Sequence, residues 1–186
     1  KQPTADIVLV VDNSGSMEYC VDRDTECSAG NRRIDYAKTQ ANNLVEKLLP
    51  NNSTGSVRVG VVSFGTDYYE EQSLLVSTTD EDGNTINVLG LSNDIETVKN
   101  AINKLTFDGG TNVQIGLQKA EELLSASNAD TKIVILVSDG EPTYYTDENG
   151  VIHGTGTGDA HETCSSTWRE SGAYWEDTIT SSDGKT

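Results

Sequence analysis

Three short polar motifs hold the residues best placed to do chemistry: Asp12-Asn13-Ser14-Gly15-Ser16, Asp108-Gly109-Gly110-Thr111-Asn112 and Ser138-Asp139-Gly140. The carboxylates of Asp12 and Asp139 and the hydroxyls of Ser14, Ser16 and Thr111 form an all-oxygen donor set. Such a set suits a hard divalent cation, Mg²⁺ first, with Mn²⁺ or Ca²⁺ as alternatives. The neighbouring glycines let the backbone turn tightly behind the donors. Each residue alone also has an ordinary role. Asp12 reads as a turn residue, Ser14 or Ser16 as a helix cap, Thr111 as an N-cap and Asp139 as a loop cap. Only their joint placement argues for a shared centre.

That placement depends on the flanking elements. Residues 5–11 (ADIVLVV) form a β-branched apolar run between Pro3 and Asp12, the pattern of a strand buried on both faces. Residues 57–64 and 132–137 read the same way. Ile34, Ala37, Ala41, Leu44, Val45 and Leu48 recur at helical spacing, and Pro50 stops the helix. Ile95, Val98, Ile102 and Leu105 repeat the pattern behind Asn93 and Glu96, spaced as a capping box. Val113, Leu117, Ala120 and Leu124 predict a third helix. In the polar stretch 67–91, a turn at Asp82-Gly83-Asn84 predicts edge or antiparallel strands over 73–76 and 86–89. The alternation predicts an α/β fold with a mostly parallel central sheet flanked by helices. In such sheets ligand sites gather where strands end and helices begin, so the three motifs are expected at one edge.

Asp12-x-Ser14-x-Ser16, then Thr111 in a Gly-Gly-Thr loop, then Asp139 in Ser-Asp-Gly, together resemble the metal-ion-dependent adhesion site of von Willebrand factor A domains. The resemblance implies a Rossmann-like fold in which Ser14 and Ser16 coordinate the metal directly. Thr111 does so directly or through water, and Asp12 and Asp139 act partly through bound waters. A cation held mainly by neutral oxygens stays attractive to one more carboxylate. The implied partner is therefore a protein presenting Glu or Asp, such as a host receptor or extracellular matrix protein, and the implied role is adhesion without catalysis.

Two regions depart from the simple family pattern. Residues 17–31 separate Ser16 from the first helix and contain Cys20 and Cys27, spaced to close a small disulfide loop. Closing it stabilises by roughly 2.5 kcal/mol in the chain-entropy model, and it implies an oxidising, extracytoplasmic setting. The insertion leaves from Ser16, so it is expected beside the metal face, as a rim restricting access or as surface decoration. After Asp139 the family fold normally adds two more strands and a final helix, but residues 140–186 show almost no periodicity, with 168–180 the nearest to a helix. The expected organisation is a core over 1–140 with the insertion 17–31, and a loop-rich insertion or arm over 141–186, with the rest of the fold downstream. Trp168, Trp175, Tyr144, Tyr145 and Tyr174 give this arm aromatics of its own, and Cys164 is left over. Elaborations near the metal resemble those of tip adhesins of Gram-positive surface pili, implying a cell-surface location.

Composition narrows the alternatives. A formal charge of −17 argues against nucleic acid and anionic membranes. No apolar run approaches the ~18 residues of a membrane span, and the Lys1-Gln2-Pro3 start reads as a mature or excised segment without a signal peptide. A zinc site through His161 and Cys164 has too few ligands. A haloacid dehalogenase-like phosphoryl-transfer enzyme would use Asp12 as nucleophile, but it wants an acid where Ser14 stands and a phosphate-clamping Lys. A serine hydrolase lacks its Gly-x-Ser-x-Gly elbow, and His153 and His161 lie in the tail. An intracellular assembly or chelatase-type A domain shares the metal motif, and a Cys20–Cys27 disulfide argues against it. Asn51 and Asn52 head glycosylation sequons that matter only in a eukaryotic secretory pathway.

Overall fold

A computed structural model describes residues 3–50, 55–140, 142–147 and 149–154. Its centre is a parallel three-stranded sheet of β1 (Ala5–Asp12), β4 (Val57–Phe64) and β7 (Thr131–Val137), with β1 in the middle. In register, Asp12 lies opposite Phe64, and Val11 opposite both Ser63 and Val137. The C-terminal ends of the three strands therefore reach one edge, as the alternation of elements predicts.

Side-chain alternation along β1 builds two cores. Ile7, Leu9 and Val11 pack with Ile34, Ala41 and Val45 of α1 (Arg33–Leu48) and with Val98 and Ile102 of α2 (Ile95–Lys104). Val8 and Val10 face the other way, onto Phe64 and onto Ala120 and Leu124 of α3 (Val113–Ser125). Burying each such aliphatic side chain contributes on the order of 1.5–3 kcal/mol, and the two layers hold β1 rigidly between helices. Gly116 lets α3 come close, since a Cβ there would stand 2.6 Å from Phe64 and 2.9 Å from Val10.

Several local expectations need correction. β7 is not buried on both faces: Ile133, Val134 and Leu136 are each about 40% exposed. Like β4 it ends the sheet, but the far side of β4 is covered by Leu74 and Ser92, bonded to Val61 and Val59, whereas among the described residues no strand pairs with the far side of β7. The cap of α2 is Asp94, whose carboxylate accepts from the Thr97 amide at 2.8 Å, and not Asn93. Residues 67–91 do contain an antiparallel pair, β5 (Leu75–Thr79) with β6 (Thr85–Leu89).

Both departures from the family pattern carry short hairpins. Within 17–31, β2 (Tyr19–Cys20) pairs with β3 (Arg23–Glu26), and a Cys20–Cys27 disulfide closes the loop. Past Asp139, β8 (Tyr144–Thr146) pairs with β9 (Ile152–Gly154), although the sequence shows no periodicity there. Three-residue strands are too short for period two to register. The expectations for Cys164, His161, Trp168, Tyr174, Trp175, residues 168–180 and the sequons at Asn51 and Asn52 lie outside the described residues. Among the described residues no helix is long and apolar enough to cross a membrane.

Candidate metal centre

The first motif begins on the last residue of the central strand. Asp12 is fully buried, and its carboxylate accepts from the Ser14 amide at 2.8 Å and from the Ser138 hydroxyl at 2.6 Å. Burial pushes its pKa up, against these hydrogen bonds, and the nearby Asp139 charge adds to the rise. A carboxylate in this condition gains from a cation. The chain then enters a 3-10 turn, Gly15–Glu18, which brings the Ser14 and Ser16 hydroxyls within 3.0 Å of each other. Ser16 donates on to Asp139 at 3.0 Å. Asp12, Ser14, Ser16 and Asp139 thus share one hydrogen-bonded network with Ser138.

Thr111 joins through the backbone. The first and second loops are zipped together by Gly15 N–H to the Gly109 carbonyl at 2.8 Å and Asp108 N–H to the Asn13 carbonyl at 2.7 Å. Gly109 takes φ +69°, where a side chain would be strained and would strike Thr66. Asn13 is anchored in turn by Gln72, its amide donating at 2.6 Å. The cap of α3 is Asn112, whose side chain accepts from the Ile115 amide at 3.2 Å. Thr111 is therefore not spent on capping. It is buried, and its backbone is held at the entry to β8: Thr143 and Tyr144 donate their amides to its carbonyl at 2.8 and 3.0 Å.

Sequence reasoning did not single out three supporting residues. Ser138 was visible within its motif, but its bond to Asp12 depends on β1 and β7 being neighbours. Thr143 carries no local signal. Arg33 does: a cation in the first turn of a helix opposes the macrodipole and calls for acidic partners. It donates to Asp139 at 2.7 Å and to Asp24 of the disulfide hairpin at 2.5 Å. Hydrogen bonds to Asp139 and then Asp24 hold its pKa above the ordinary arginine value.

The donor set fits a hard cation chemically, since every candidate atom is oxygen. Among the described residues no group of three or more His, Cys, Asp or Glu side chains comes together as a soft or carboxylate-rich site would require. A centre here rests on hydroxyls with two flanking carboxylates.

The chain belongs to the von Willebrand factor type A domain family, whose model matches residues 7–141. No curated protein matches it. Among solved structures it is similar to the vWF domain of the type V pili tip protein Mfa5 from Porphyromonas gingivalis, at 25% identity and TM-score 0.59, over 80% of this chain and 42% of that one. It is also similar to the pilus adhesin SpaC from Lactobacillus rhamnosus GG in its open conformation, at 28% identity and TM-score 0.55, over 84% of this chain and 18% of that one. It shares its fold with the pilus adhesin RrgA from Streptococcus pneumoniae, at 21% identity and TM-score 0.56, over 87% and 23% of the two chains. The matched region is less than half of each of these proteins.

Proposed function

We propose that this chain is a metal-dependent adhesion module of a bacterial surface or pilus protein. In this reading Asp12, Ser14, Ser16, Thr111 and Asp139 hold a divalent cation, and binding, not catalysis, is its task. The observation that carries the reading is the Ser14–Ser16–Asp139 run of oxygens, spaced 3.0 Å and 3.0 Å. Metal–oxygen bonds of 2.0–2.1 Å at right angles place neighbouring ligand oxygens about 2.9 Å apart, and the equatorial oxygens of a seven-coordinate Ca²⁺ site fall at about the same spacing. The spacing also suits hydroxyl hydrogen bonds in the ion-free site, so little rearrangement separates the two states. Mg²⁺ is the cation proposed, with Mn²⁺ or Ca²⁺ as alternatives.

When bound, the cation supplies a Lewis-acidic point for a carboxylate of a protein partner. The chain's own residues do the rest. Asp12 anchors the first loop through the Ser14 amide, Ser138 steadies Asp12, and the zipped loops hold Thr111 beside them. Residues 1–140 form the adhesion core on this reading, with 17–31 and 141–186 as elaborations. Similarity to pilus adhesins supports a cell-surface location and a protein ligand with an exposed Glu or Asp. The Cys20–Cys27 disulfide favours this over an intracellular assembly or chelatase role.

Calorimetric titration of Mg²⁺ and Mn²⁺ into wild type and Asp12→Ala tests the reading. Saturable binding to wild type that disappears in the variant is expected. Binding that survives Asp12→Ala unchanged rules out the site.

A further inference from the structure

Arg33 is the first residue of α1, yet its guanidinium spans three parts of the chain. Nη1 donates to Asp139 Oδ2 at 2.7 Å, Nη2 to Asp24 Oδ1 at 2.5 Å, and Nε to the Cys20 carbonyl at 3.1 Å. It lies over the Tyr19 ring at 5.7 Å, with its side chain 18% exposed. Ser16 occupies the other oxygen of Asp139, Oδ1. Asp139 is therefore divided: one oxygen faces the hydroxyl network and the other is taken by an arginine that the disulfide hairpin holds in place. Arg32 ties down the same hairpin, donating from Nε to the Cys27 carbonyl at 3.1 Å while its guanidinium rests over Phe107.

The formal charges show what this does. Asp12 and Asp139 alone carry −2, which a divalent ion would neutralise in full. With Arg33 counted the three side chains carry −1, leaving +1 on the occupied site, a charge that one incoming carboxylate balances and that Asp24, exposed to solvent on the far side of the guanidinium, offsets only in part. Resting on the metal reading above, we propose that Arg33 is a specificity-determining residue. By holding one oxygen of Asp139 it keeps the cation under-neutralised and receptive to a partner's carboxylate, and the Cys20–Cys27 hairpin fixes it in that position. The insertion at 17–31 then acts on the electrostatics of the site as well as on its shape.

The test titrates Mn²⁺ and Mg²⁺ into the whole chain by calorimetry at low ionic strength, for wild type, Arg33→Gln, Arg33→Lys and Asp24→Asn, with thermal unfolding in chelator as the fold control. Arg33→Gln is expected to bind cation about five- to tenfold more tightly, since the unit positive charge beside Asp139 no longer opposes it. Arg33→Lys keeps the charge and is expected to bind within about twofold of wild type, although lysine cannot fork between Asp139 and the hairpin. Asp24→Asn leaves Arg33 less neutralised and is expected to weaken binding by about twofold. A merely structural role predicts weaker binding in every variant. That pattern, or unchanged affinity in Arg33→Gln, overturns the inference while Asp12→Ala still abolishes binding. Should Arg33→Gln fail to fold, Arg33→Lys decides: wild-type affinity supports the charge role, and a marked loss overturns it. Cation binding that ignores Asp12→Ala brings down the site reading itself.

Discussion

Thr143 and Thr111 are bonded in both directions: Thr143 gives its amide to the Thr111 carbonyl at 2.8 Å and accepts the Thr111 amide on its side-chain oxygen at 2.9 Å. Asn112 and Gln114 extend the seam, donating to the Thr146 hydroxyl and carbonyl, both at 2.9 Å. The β8–β9 hairpin is thereby clamped to the loop that carries one proposed ligand.

Thr143→Val removes the acceptor for a part-buried amide and is expected to cost about 1 kcal/mol in urea unfolding. Mn²⁺ affinity should fall with it, because Thr111 loses one of the three hydrogen bonds that Thr143 and Tyr144 make to its backbone, and Thr143→Ser should restore both. A variant that loses stability but keeps full affinity would place Thr111 outside the ligand set.

Mg²⁺ is expected to raise the thermal midpoint in a concentration-dependent way. At about one hundred times the dissociation constant, linkage stabilises by about 2.7 kcal/mol. Scanning fluorimetry of the Ser14→Ala, Ser16→Ala double variant should show no such shift. An equal shift in the variant would mean the cation binds elsewhere.

Replacing Cys20 and Cys27 together by serine is expected to lower stability by about 2.5 kcal/mol through loop entropy. Urea midpoints of the paired variant and of wild type under non-reducing conditions measure this. A difference under about 0.5 kcal/mol would show that Arg32 and Arg33 hold the hairpin without the bond.

Asp6 provides a pH test remote from the metal centre. Burial raises its pKa, but hydrogen bonds from Arg58 and Ser127, with the Arg58 and Lys132 charges, outweigh it and leave the pKa below the ordinary 3.8. Its folded-state pKa is lowered, so its stabilisation is full above that ordinary value. It is lost as pH falls through the folded-state value. Asp6→Asn is expected to cost about 2 kcal/mol at neutral pH, and its gap from wild type should narrow in strongly acidic solution. Parallel acid-unfolding curves would contradict the assignment.

The parallel sheet and the order of its helices were legible in the sequence because each element carries its own period. The proposed ligands were legible because they fall at strand ends in short glycine-bearing motifs. Other features depend on contacts that local pattern does not encode. β7 has the same apolar run as β1 and β4, and only the tertiary cover that β4 receives from Leu74 and Ser92 separates the two terminal strands. Thr111 reads as the cap of α3, whereas the structure uses Asn112, the stronger capping type. Asn149-Gly150 is a hairpin signal, but the three-residue strands beside it gave no period to pair it with. Arg33 was visible as a charge on the wrong end of a helix, and its partners lie 106 and 9 residues away.

The two proposed carboxylates stand on unequal foundations. Asp12 ends a strand hydrogen-bonded on both sides, while Asp139 follows β7, which among the described residues is bonded to β1 alone. The geometry at Asp12 is set by the middle of the sheet, whereas Asp139 inherits whatever strain is applied along its margin. A pull on the segment beyond Gly140 would reach the proposed cation site through Asp139 and, across the bonds from Thr143 and Tyr144 to Thr111, through the second loop. Load carried along the chain after β7 would thus fall first on Asp139 and Thr111, and on Asp12 only through the Ser138 hydroxyl.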